Sequence, residues 1–405
     1  MPVMVYDVCN VTTLRNSVSQ INGDLVIYLS VYEKEGTNMT SAPGTTFSRR
    51  SLIAATATAT AATAMGTALA NASTRKPGFS INLNQDQGEI NIVNFYQPFI
   101  AEVIPLFTEE TGIKVNQLGT TSSNDQWWAR LAAGEEIDFL IATLDWLQRG
   151  MSADMFLPID RELVPNTDNL YADFQELEAI TKDGKQYGSP SFRVYYALCY
   201  NTNEFSEAPT SWNVTWDEKY KGKIALHDNT IARIGTTALL LGDDPLNPTK
   251  WDEITEKLLE QKPLVLKYWV DYQNGMELFA NEEAVVGQLT AGRTRMAMAE
   301  GAPINWTVPE EGCMTFLDNY AVPATAKNPE GGMAFINFLQ KPEIAAMEME
   351  MMHYDSVNEA AREGMDAELL KTFELPEGAN LVLTTDMDPA VRSKMDEVWT
   401  EVKLM

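Results

Sequence analysis

From Gly88 onward, short apolar segments alternate with amphipathic segments whose apolar residues recur with the period of a helix. The first five segments predict a strand at 90–95, a helix at 98–111, a strand at 113–118, a helix at 125–133 and a strand at 137–142. Gly112 is predicted to end the first helix in a left-handed cap. This βαβαβ order predicts a mostly parallel sheet, because parallel strands need helical crossovers between them.

A second block of the same kind follows a predicted turn at 187–190. It contains an aromatic strand at 195–200, a short helix and turn at 216–223, a strand at 224–226 and helices at 234–241 and 251–261. Segments 284–289 and 295–299 add further helix and strand, 316–322 is a strand, and 327–339 predicts a turn, a Gly-Gly break and an amphipathic helix. A chain of 405 residues is longer than one hydrophobic core usually organises. Two α/β lobes joined by at least two crossing strands are therefore expected.

Charge narrows the class of partner. The formal net charge is -27 and the pI is about 4.4, and no cluster of Lys and Arg offers a surface for phosphates. A nucleic-acid partner is therefore not expected. The acidic excess is interpreted as a means of keeping an exported protein soluble, although it could also attract cations.

Cysteine and histidine are too few to suggest catalysis. Cys9 lies in a stretch expected to be absent from the mature protein, and Cys199 with Cys313 could form a disulfide or remain two buried thiols. Neither His227 nor His353 has a spacing typical of a metal site or catalytic triad. The sequence also lacks a phosphate-binding loop and a dinucleotide-binding glycine motif. We therefore expect no catalytic residue, no metal and no cofactor.

An export signal is predicted at 39–72. Arg49 and Arg50 precede a mildly apolar Ala/Thr-rich run that ends in Ala70-Asn71-Ala72, which fits a twin-arginine signal cleaved after Ala72. A membrane anchor is the alternative, but the run is less apolar than a stable span requires. Met39 fits the true start, so 1–38 is interpreted as a misassigned extension and 73–87 as a linker.

Several short motifs follow one another along the chain. They include Phe-Thr-Glu-Glu-Thr-Gly-Ile-Lys-Val at 107–115, Leu-Pro-Ile-Asp at 157–160, Tyr-Lys-Gly-Lys at 220–223, Asp-Asn-Tyr-Ala-Val-Pro at 318–323 and Ala-Phe-Ile-Asn-Phe-Leu at 334–339. Each motif is weak alone, but in this order they resemble the periplasmic spermidine/putrescine-binding protein family. These motifs fit scaffold roles and do not themselves specify a ligand.

The resemblance implies an α/β, two-lobed, periplasmic-binding-protein-like fold with hinge strands between the lobes. Lobe one would comprise 88–195 and 319–364, and lobe two would comprise 196–318 and 365–405. The implied function is a monomeric, periplasmic solute-binding protein of an ABC importer, which captures a polyamine in the interlobe cleft and delivers it to an inner-membrane permease.

The same resemblance implies a set of ligand-binding positions, since aromatic rings and carboxylates together bind alkylammonium groups. The corresponding positions are Phe95, Tyr96, Thr143, Asp145, Trp146, Asn229, Phe316 and Asp318, of which only the pair Phe316 and Asp318 matches the family well. Asp318 is the expected amine partner, and the alternative is a hinge-strand Asp bound to backbone N–H groups. Ordinary core packing is the alternative for each aromatic residue.

Three features depart from the family pattern. Ala232 cannot bind an ammonium, Leu375 replaces a usual aromatic residue, and Arg193 and Arg233 lie near cleft positions where they could bind an anion instead. Asp145 and Asp228 could replace the missing acids or act as loop caps. Another amine, an amino-acid-like solute or a carboxylate therefore remains open as the ligand, and an exported enzyme or a sensor on the same fold remains open as the class.

Overall fold

A computed structural model describes residues 13–21, 24–32, 88–95, 97–120 and 123–405. The chain divides into two units, 1–76 and 77–405. The first unit contains an antiparallel pair of strands, β1 (Thr13–Ile21) and β2 (Asp24–Tyr32). The predicted signal, its Arg49-Arg50 pair and the cleavage site after Ala72 lie outside the described residues.

The second unit is a mixed α/β structure. Its strands are β3 (Glu89–Asn94), β4 (Lys114–Thr120), β5 (Phe139–Thr143), β6 (Thr181–Lys182), β7 (Lys185–Gln186), β8 (Ser189–Asn201), β9 (Ile224–His227), β10 (Val265–Trp269), β11 (Val286–Thr290), β12 (Ile304–Thr307), β13 (Cys313–Ala321), β14 (Asp355–Ser356) and β15 (Leu381–Leu383). The main sheet has the order β10-β9-β11-β8-β13-β5-β3-β4, with β12 and β14 added to β8 and β15 added to β13.

Helices connect these strands. The α-helices are α1 (Gln97–Thr111), α2 (Asn124–Ala132), α3 (Leu144–Ser152), α4 (Ala172–Gln175), α5 (Thr230–Leu240), α6 (Trp251–Gln261), α7 (Tyr272–Ala280), α8 (Ala291–Ala299), α9 (Pro329–Leu339), α10 (Pro342–Met352), α11 (Ala367–Lys371) and α12 (Pro389–Leu404). Short 3-10 helices lie at Pro165–Asn169, Glu178–Ile180, Trp212–Trp216, Glu218–Tyr220, Lys262–Leu264 and Ala360–Arg362.

Two long strands, β8 and β13, join two groups of parallel strands. β3 pairs in parallel with β4 and β5 on one side, and β9 pairs in parallel with β10 and β11 on the other. β8 pairs antiparallel with β13 and β14 in its first half and with β11 and β12 in its second half. The strand order therefore has the predicted form of two βαβ groups joined by crossing strands.

Separate apolar cores lie on the two sides of these crossing strands. The first group of strands has two cores, one containing Phe99, Phe139 and Phe335 and the other containing Trp127 and Leu317. The remaining cores are built on residues such as Trp212, Ile254 and Trp269 of the second group, together with Trp399 of α12. Each group of helices and strands thus buries its own apolar surface, which is the basis of a two-lobed architecture.

The cap at Gly112 is confirmed. Its φ is +75°, and its N–H donates to the carbonyl of Thr108 at 2.9 Å. A left-handed backbone costs glycine least, so this residue ends α1 and starts the chain toward β4.

Two local predictions are wrong. Ser189 and Pro190 belong to β8 instead of a turn, and Pro190 lies opposite Asn319 where the register with β13 shifts, which is a position that tolerates a missing N–H. Gly331 and Gly332 lie inside α9 and do not break it. A Cβ on Gly332 would lie 2.2 Å from the carbonyl oxygen of Asp138, so glycine is needed here for the close approach of helix and strand.

Candidate functional site

The ends of two parallel strands meet the crossing strands in the middle of the sheet. Thr143, the last residue of β5, lies opposite Asp318 of β13, and Thr290, the last residue of β11, lies opposite Tyr196 of β8. In open α/β sheets, ligands bind beyond the carboxyl ends of the strands, where the order of the strands changes. The candidate site is therefore centred on Asp318 and Tyr196.

Asp318 lies on β13 with only 4% of its surface exposed. Phe316 is two residues earlier, so both side chains lie on the same face of the strand. The ring of Phe316 meets the ring of Tyr196 edge-on, with their centroids 5.0 Å apart and an angle of 88° between the planes. The sequence-predicted pair Phe316 and Asp318 thus joins a buried aromatic group.

That aromatic group continues into the second set of strands. The hydroxyls of Tyr196 and Tyr272 are 2.7 Å apart, and the ring of His227 lies 5.2 Å from the ring of each tyrosine. His227 also stacks on Trp269 with centroids 4.1 Å apart. The residues after β10 and at the end of β9 therefore supply an aromatic wall that faces Tyr196.

Burial keeps this wall uncharged. It lowers the pKa of His227 to about 3, and the nearby Arg233 charge adds to the effect, so the imidazole is neutral at pH 7. Burial also raises the pKa of Tyr196 and Tyr272, and the negative charge of Asp318 contributes to both increases. The rings of this group are therefore neutral at pH 7, and Asp318 is the acidic side chain that lies beside them.

A third tyrosine belongs to the same group. The hydroxyl of Tyr354 lies 3.4 Å from Oγ1 of Thr290, and its charge would raise the pKa values of Tyr196 and Tyr272. Tyr196, Tyr272 and Tyr354 are not among the site residues predicted from the sequence. Their only sequence signal is aromatic composition next to predicted strands, which core tyrosines share.

Thr143 and Asp145 form a polar group at the start of α3. Thr143 Oγ1 donates to Asp145 Oδ1 at 2.6 Å, and Arg392 Nη2 of α12 lies 3.4 Å from Asp145 Oδ2. Burial raises the pKa of Asp145, while Thr143 and Arg392 lower it. A backbone N–H at Asp386 also donates to Gln148 Oε1 at 2.7 Å, so α3 is tied twice to the segment that contains α12.

Trp146 contacts a cation that belongs to the protein itself. The Arg149 guanidinium lies 4.2 Å from the centre of the Trp146 ring and 5.2 Å from that of Trp128. Trp146 packs with the core that contains Leu317, which alternates with Asp318 along β13 and so occupies the other face. The structure therefore places Trp146 apart from the aromatic group around Phe316.

The residues that follow β9 make local contacts. Asn229 caps α5, because its Oδ1 accepts from the N–H of Ala232 at 2.9 Å. Asp228 accepts from Trp399 Nε1 at 2.7 Å and from Lys403 Nζ at 3.1 Å. Both side chains thus have structural partners within the second group of strands.

The two arginines considered as anion ligands differ in their surroundings. Arg193 Nη2 donates to Asp355 Oδ2 at 2.6 Å, so its charge is compensated inside the protein. Arg233 is 1% exposed and donates to Gln288 Oε1, while its Nε has no hydrogen-bond partner among the described residues. Burial lowers the pKa of Arg233 to about 10, which still leaves it charged at pH 7.

Phe95 follows β3, is half-buried and packs against two cores of the first group. Tyr96, its predicted neighbour in the site, lies outside the described residues. Cys199 and Cys313 are both free thiols and both buried, which decides against the disulfide between them.

The described residues contain neither a clustered metal site nor a helix able to span a membrane. Within them, no group of three or more His, Cys, Asp or Glu side chains is arranged to hold a metal ion. No helix in that part of the chain has the length and apolar character needed to cross a membrane.

The fold and the buried site between two groups of parallel strands define the class of two-lobed periplasmic solute-binding proteins. Residues 102–374 match the family described as bacterial extracellular solute-binding protein. This chain belongs to that family.

Named relatives agree with this assignment. The chain is 31% identical over 269 residues to spermidine/putrescine-binding periplasmic protein 1 of Haemophilus influenzae. The aligned region covers 65% of this chain and 73% of the relative. The chain is also 26% identical over 346 residues to the putrescine-binding periplasmic protein PotF of Escherichia coli. That aligned region covers 79% of this chain and 93% of PotF. The resemblance to the spermidine/putrescine-binding family is confirmed.

A solved structure supports the fold. The spermidine/putrescine ABC transporter substrate-binding protein PotD from Streptococcus pneumoniae has a TM-score of 0.69 at 23% identity, covering 78% of this chain and 99% of PotD. The predicted two-lobed α/β fold is confirmed.

Proposed function

We propose that this protein captures a polyamine such as putrescine or spermidine and delivers it to the permease of an ABC importer, without any chemical change to the ligand. The observation that carries the proposal is the buried carboxylate of Asp318 beside the aromatic group of Phe316, Tyr196 and Tyr272. The printed names of the relatives, which bind spermidine or putrescine, agree with it.

The chemistry of this group suits an alkylammonium ion. A dehydrated ammonium needs a charged acceptor for its N–H groups and gains further energy over the face of an aromatic ring. Asp318 supplies the acceptor, and the neutral rings of Tyr196 and His227 add no competing positive charge. The methylene chain of a polyamine would lie against these same rings.

The other predicted contacts are part of the proposal. Asp145 would bind the second ammonium group, in exchange for its 3.4 Å contact with Arg392. Phe95, Tyr96, Thr143 and Asn229 would complete the wall of the cleft, whereas Trp146, which packs on Arg149, would not.

The proposal includes the larger organisation of the molecule. Lobe one would consist of 88–195 and 319–364 and lobe two of 196–318 and 365–405, and β8 and β13 would act as hinges. Ligand binding would favour a closed form, because only that form contacts the ligand from both sides. The protein would act as a monomer in the periplasm after export by the twin-arginine route.

A carboxylate or zwitterion is the second candidate ligand, and one observation favours it. Arg233 is buried and charged, and its Nε lacks a hydrogen bond within the described part of the chain. A ligand carboxylate would satisfy that group.

Thermal shift and calorimetry with putrescine, spermidine, amino acids and dicarboxylates test these alternatives on the purified protein. A true ligand at a hundredfold excess over Kd stabilises the native state by about 2.7 kcal/mol. We expect this response from polyamines, and we expect Asp318→Asn to weaken their binding by about 2 to 5 kcal/mol.

Asp154→Asn is the matched control, because Asp154 is an exposed carboxylate that pairs with Lys182 at 2.7 Å. Its binding of polyamines should equal that of the unmodified protein. A shift with carboxylates alone, abolished by Arg233→Met and unaffected by Asp318→Asn, would contradict the polyamine assignment.

A further inference from the structure

Three arginines surround a single aspartate beside the crossing strand β8. Arg193 Nη2 of β8 donates to Asp355 Oδ2 at 2.6 Å, and Arg362 pairs with the other oxygen of the same carboxylate. Arg295 of α8 lies close to them, because its Nη1 donates at 2.8 Å to the carbonyl of His353, two residues before Asp355. The three arginines and Asp355 form the arginine cluster.

Aromatic rings hold two of these arginines in place. The guanidinium carbon of Arg295 lies 4.4 Å from the centre of the Phe373 ring and 4.6 Å from that of Trp306. The guanidinium carbon of Arg362 lies 5.9 Å from the same Phe373 ring, so Arg295 and Arg362 meet at one side chain. Contacts of a cation with a ring fix the position of the charge, but the ring brings no negative charge to balance it.

The arginine cluster carries more positive than negative charge. Burial lowers the pKa of Arg295 to about 10, which leaves its guanidinium charged at pH 7. Asp355 is the only acidic side chain paired with any of the three arginines within the described ranges. Three guanidinium groups against one carboxylate leave a formal charge of +2, in a protein whose net charge is -27.

Each arginine of the cluster also has an unused N–H donor. Arg193 Nε, Arg295 Nη2 and Arg362 Nε are buried, and none of them has a hydrogen-bond partner in the part of the chain that the structure describes. A buried donor without an acceptor is costly, and more so when it is charged. Arg295 is 2% exposed, whereas the side chains of Arg193 and Arg362 are 29% and 25% exposed, so a solute can reach the cluster from solvent.

The arginine cluster and the candidate site lie on opposite faces of the crossing strands. Arg193 lies opposite Leu317 of β13 and opposite Asp355 of β14, so these three side chains share one face. Phe316 and Asp318 alternate with Leu317 along β13 and therefore occupy the other face. A solute bound at the cluster would not compete directly with a ligand at Asp318.

We propose that the arginine cluster binds a tetrahedral oxyanion such as inorganic phosphate or sulfate. The oxygens of the anion would accept from Arg193 Nε, Arg295 Nη2 and Arg362 Nε, and two negative charges would balance the formal charge of the cluster. Arginine binds such anions well because its planar group offers several donors in a fixed geometry. Acetate has a single charge and two oxygens, and chloride has no directed acceptors, so both fit the cluster less well.

Calorimetry with inorganic phosphate and with sulfate, on the purified protein at about pH 8 and low ionic strength, tests this inference. We expect one anion bound per chain and much weaker binding of acetate and chloride. Arg362→Gln removes one charge and one donor, so it should weaken phosphate binding about tenfold or more. Arg161→Gln is the matched control, because Arg161 pairs with its own acid, Asp168, at 2.8 Å. Its phosphate binding should equal that of the unmodified protein.

Arg193→Gln provides a second variant in case Arg362→Gln folds poorly, and it should weaken phosphate binding in the same way. Failure of the unmodified protein to bind phosphate or sulfate would overturn the inference, as would equal binding by both variants. Phosphate should also bind in the presence of saturating putrescine. Competition between the two would place the anion at the candidate site and overturn the inference. A lack of polyamine binding alone would contradict only the proposed function.

Discussion

Replacing Asp355 with asparagine is expected to lower the free energy of unfolding by about 3 to 5 kcal/mol. The Asp355 side chain is 1% exposed, and its carboxylate accepts from Arg193 Nη2 at 2.6 Å, from Arg362 and from the hydroxyl of Tyr195. Asparagine keeps the volume but removes the charge, which leaves two guanidinium groups side by side without their common partner. The penalty of that uncompensated charge sets the magnitude.

Urea denaturation followed by tryptophan fluorescence measures this loss. The matched control is Asp154→Asn, which breaks an ion pair with Lys182 whose Asp side chain is 84% exposed. Its φ of 54° suits asparagine, so the control changes charge without straining the backbone. We expect about 0 to 1 kcal/mol for the control. Equal losses from the two variants would refute the reasoning, because burial would then make no difference to the value of the charge.

Two further predictions concern packing and pH. Gly332→Ala should lower the free energy of unfolding by about 1 to 3 kcal/mol, because its Cβ would lie 2.2 Å from the Asp138 carbonyl oxygen. An unchanged midpoint of urea denaturation would contradict the close packing. Burial lowers the pKa of His227 to about 3 from 6.5, so its contribution to stability is complete above pH 6.5 and is lost as the pH falls toward 3. Between pH 7 and 5 the free energy of unfolding of the unmodified protein should therefore fall by about 2 kcal/mol. His227→Phe, which keeps a ring on Trp269, should not show this loss. Parallel curves of unfolding free energy against pH for the two proteins would disprove the pKa shift.

Helices and strands with strong local patterns could be predicted from the sequence. The helix at 251–261 has the predicted bounds, and the strand predicted at 224–226 extends by one residue to His227. The structure could not be predicted correctly at residues whose role depends on a partner that is distant in the sequence. Pro190 signals a turn locally but occupies a register shift against Asn319, and Gly332 signals a break locally but allows close contact with Asp138.

The candidate site divides in the same way. Phe316 and Asp318 could be predicted as a pair from the resemblance to the family, and alternation along β13 places both side chains on one face. The contact between Tyr196 and Tyr272 joins residues separated by 76 positions, and the contact between Asp145 and Arg392 spans 247 positions. Such pairs depend on how β8, α7 and α12 pack, which no spacing within one segment reveals.

The partners found in the structure bear on the sign of the ligand charge. Asp355 is shared by Arg193 and Arg362, and Lys403 pairs with Asp228, so each of these residues already has a partner within the protein and does not indicate the sign of the ligand charge. The groups whose pKa the negative charge of Asp318 raises include three tyrosines and one carboxylic acid: Tyr196, Tyr272, Tyr320 and Glu348. These four groups stay neutral at pH 7, so an anion placed among them would be repelled by the carboxylate of Asp318, whereas a cation would be attracted to it. The field around Asp318 therefore favours an ammonium ligand for reasons independent of any resemblance, and a carboxylate ligand would have to bind near Arg233 instead.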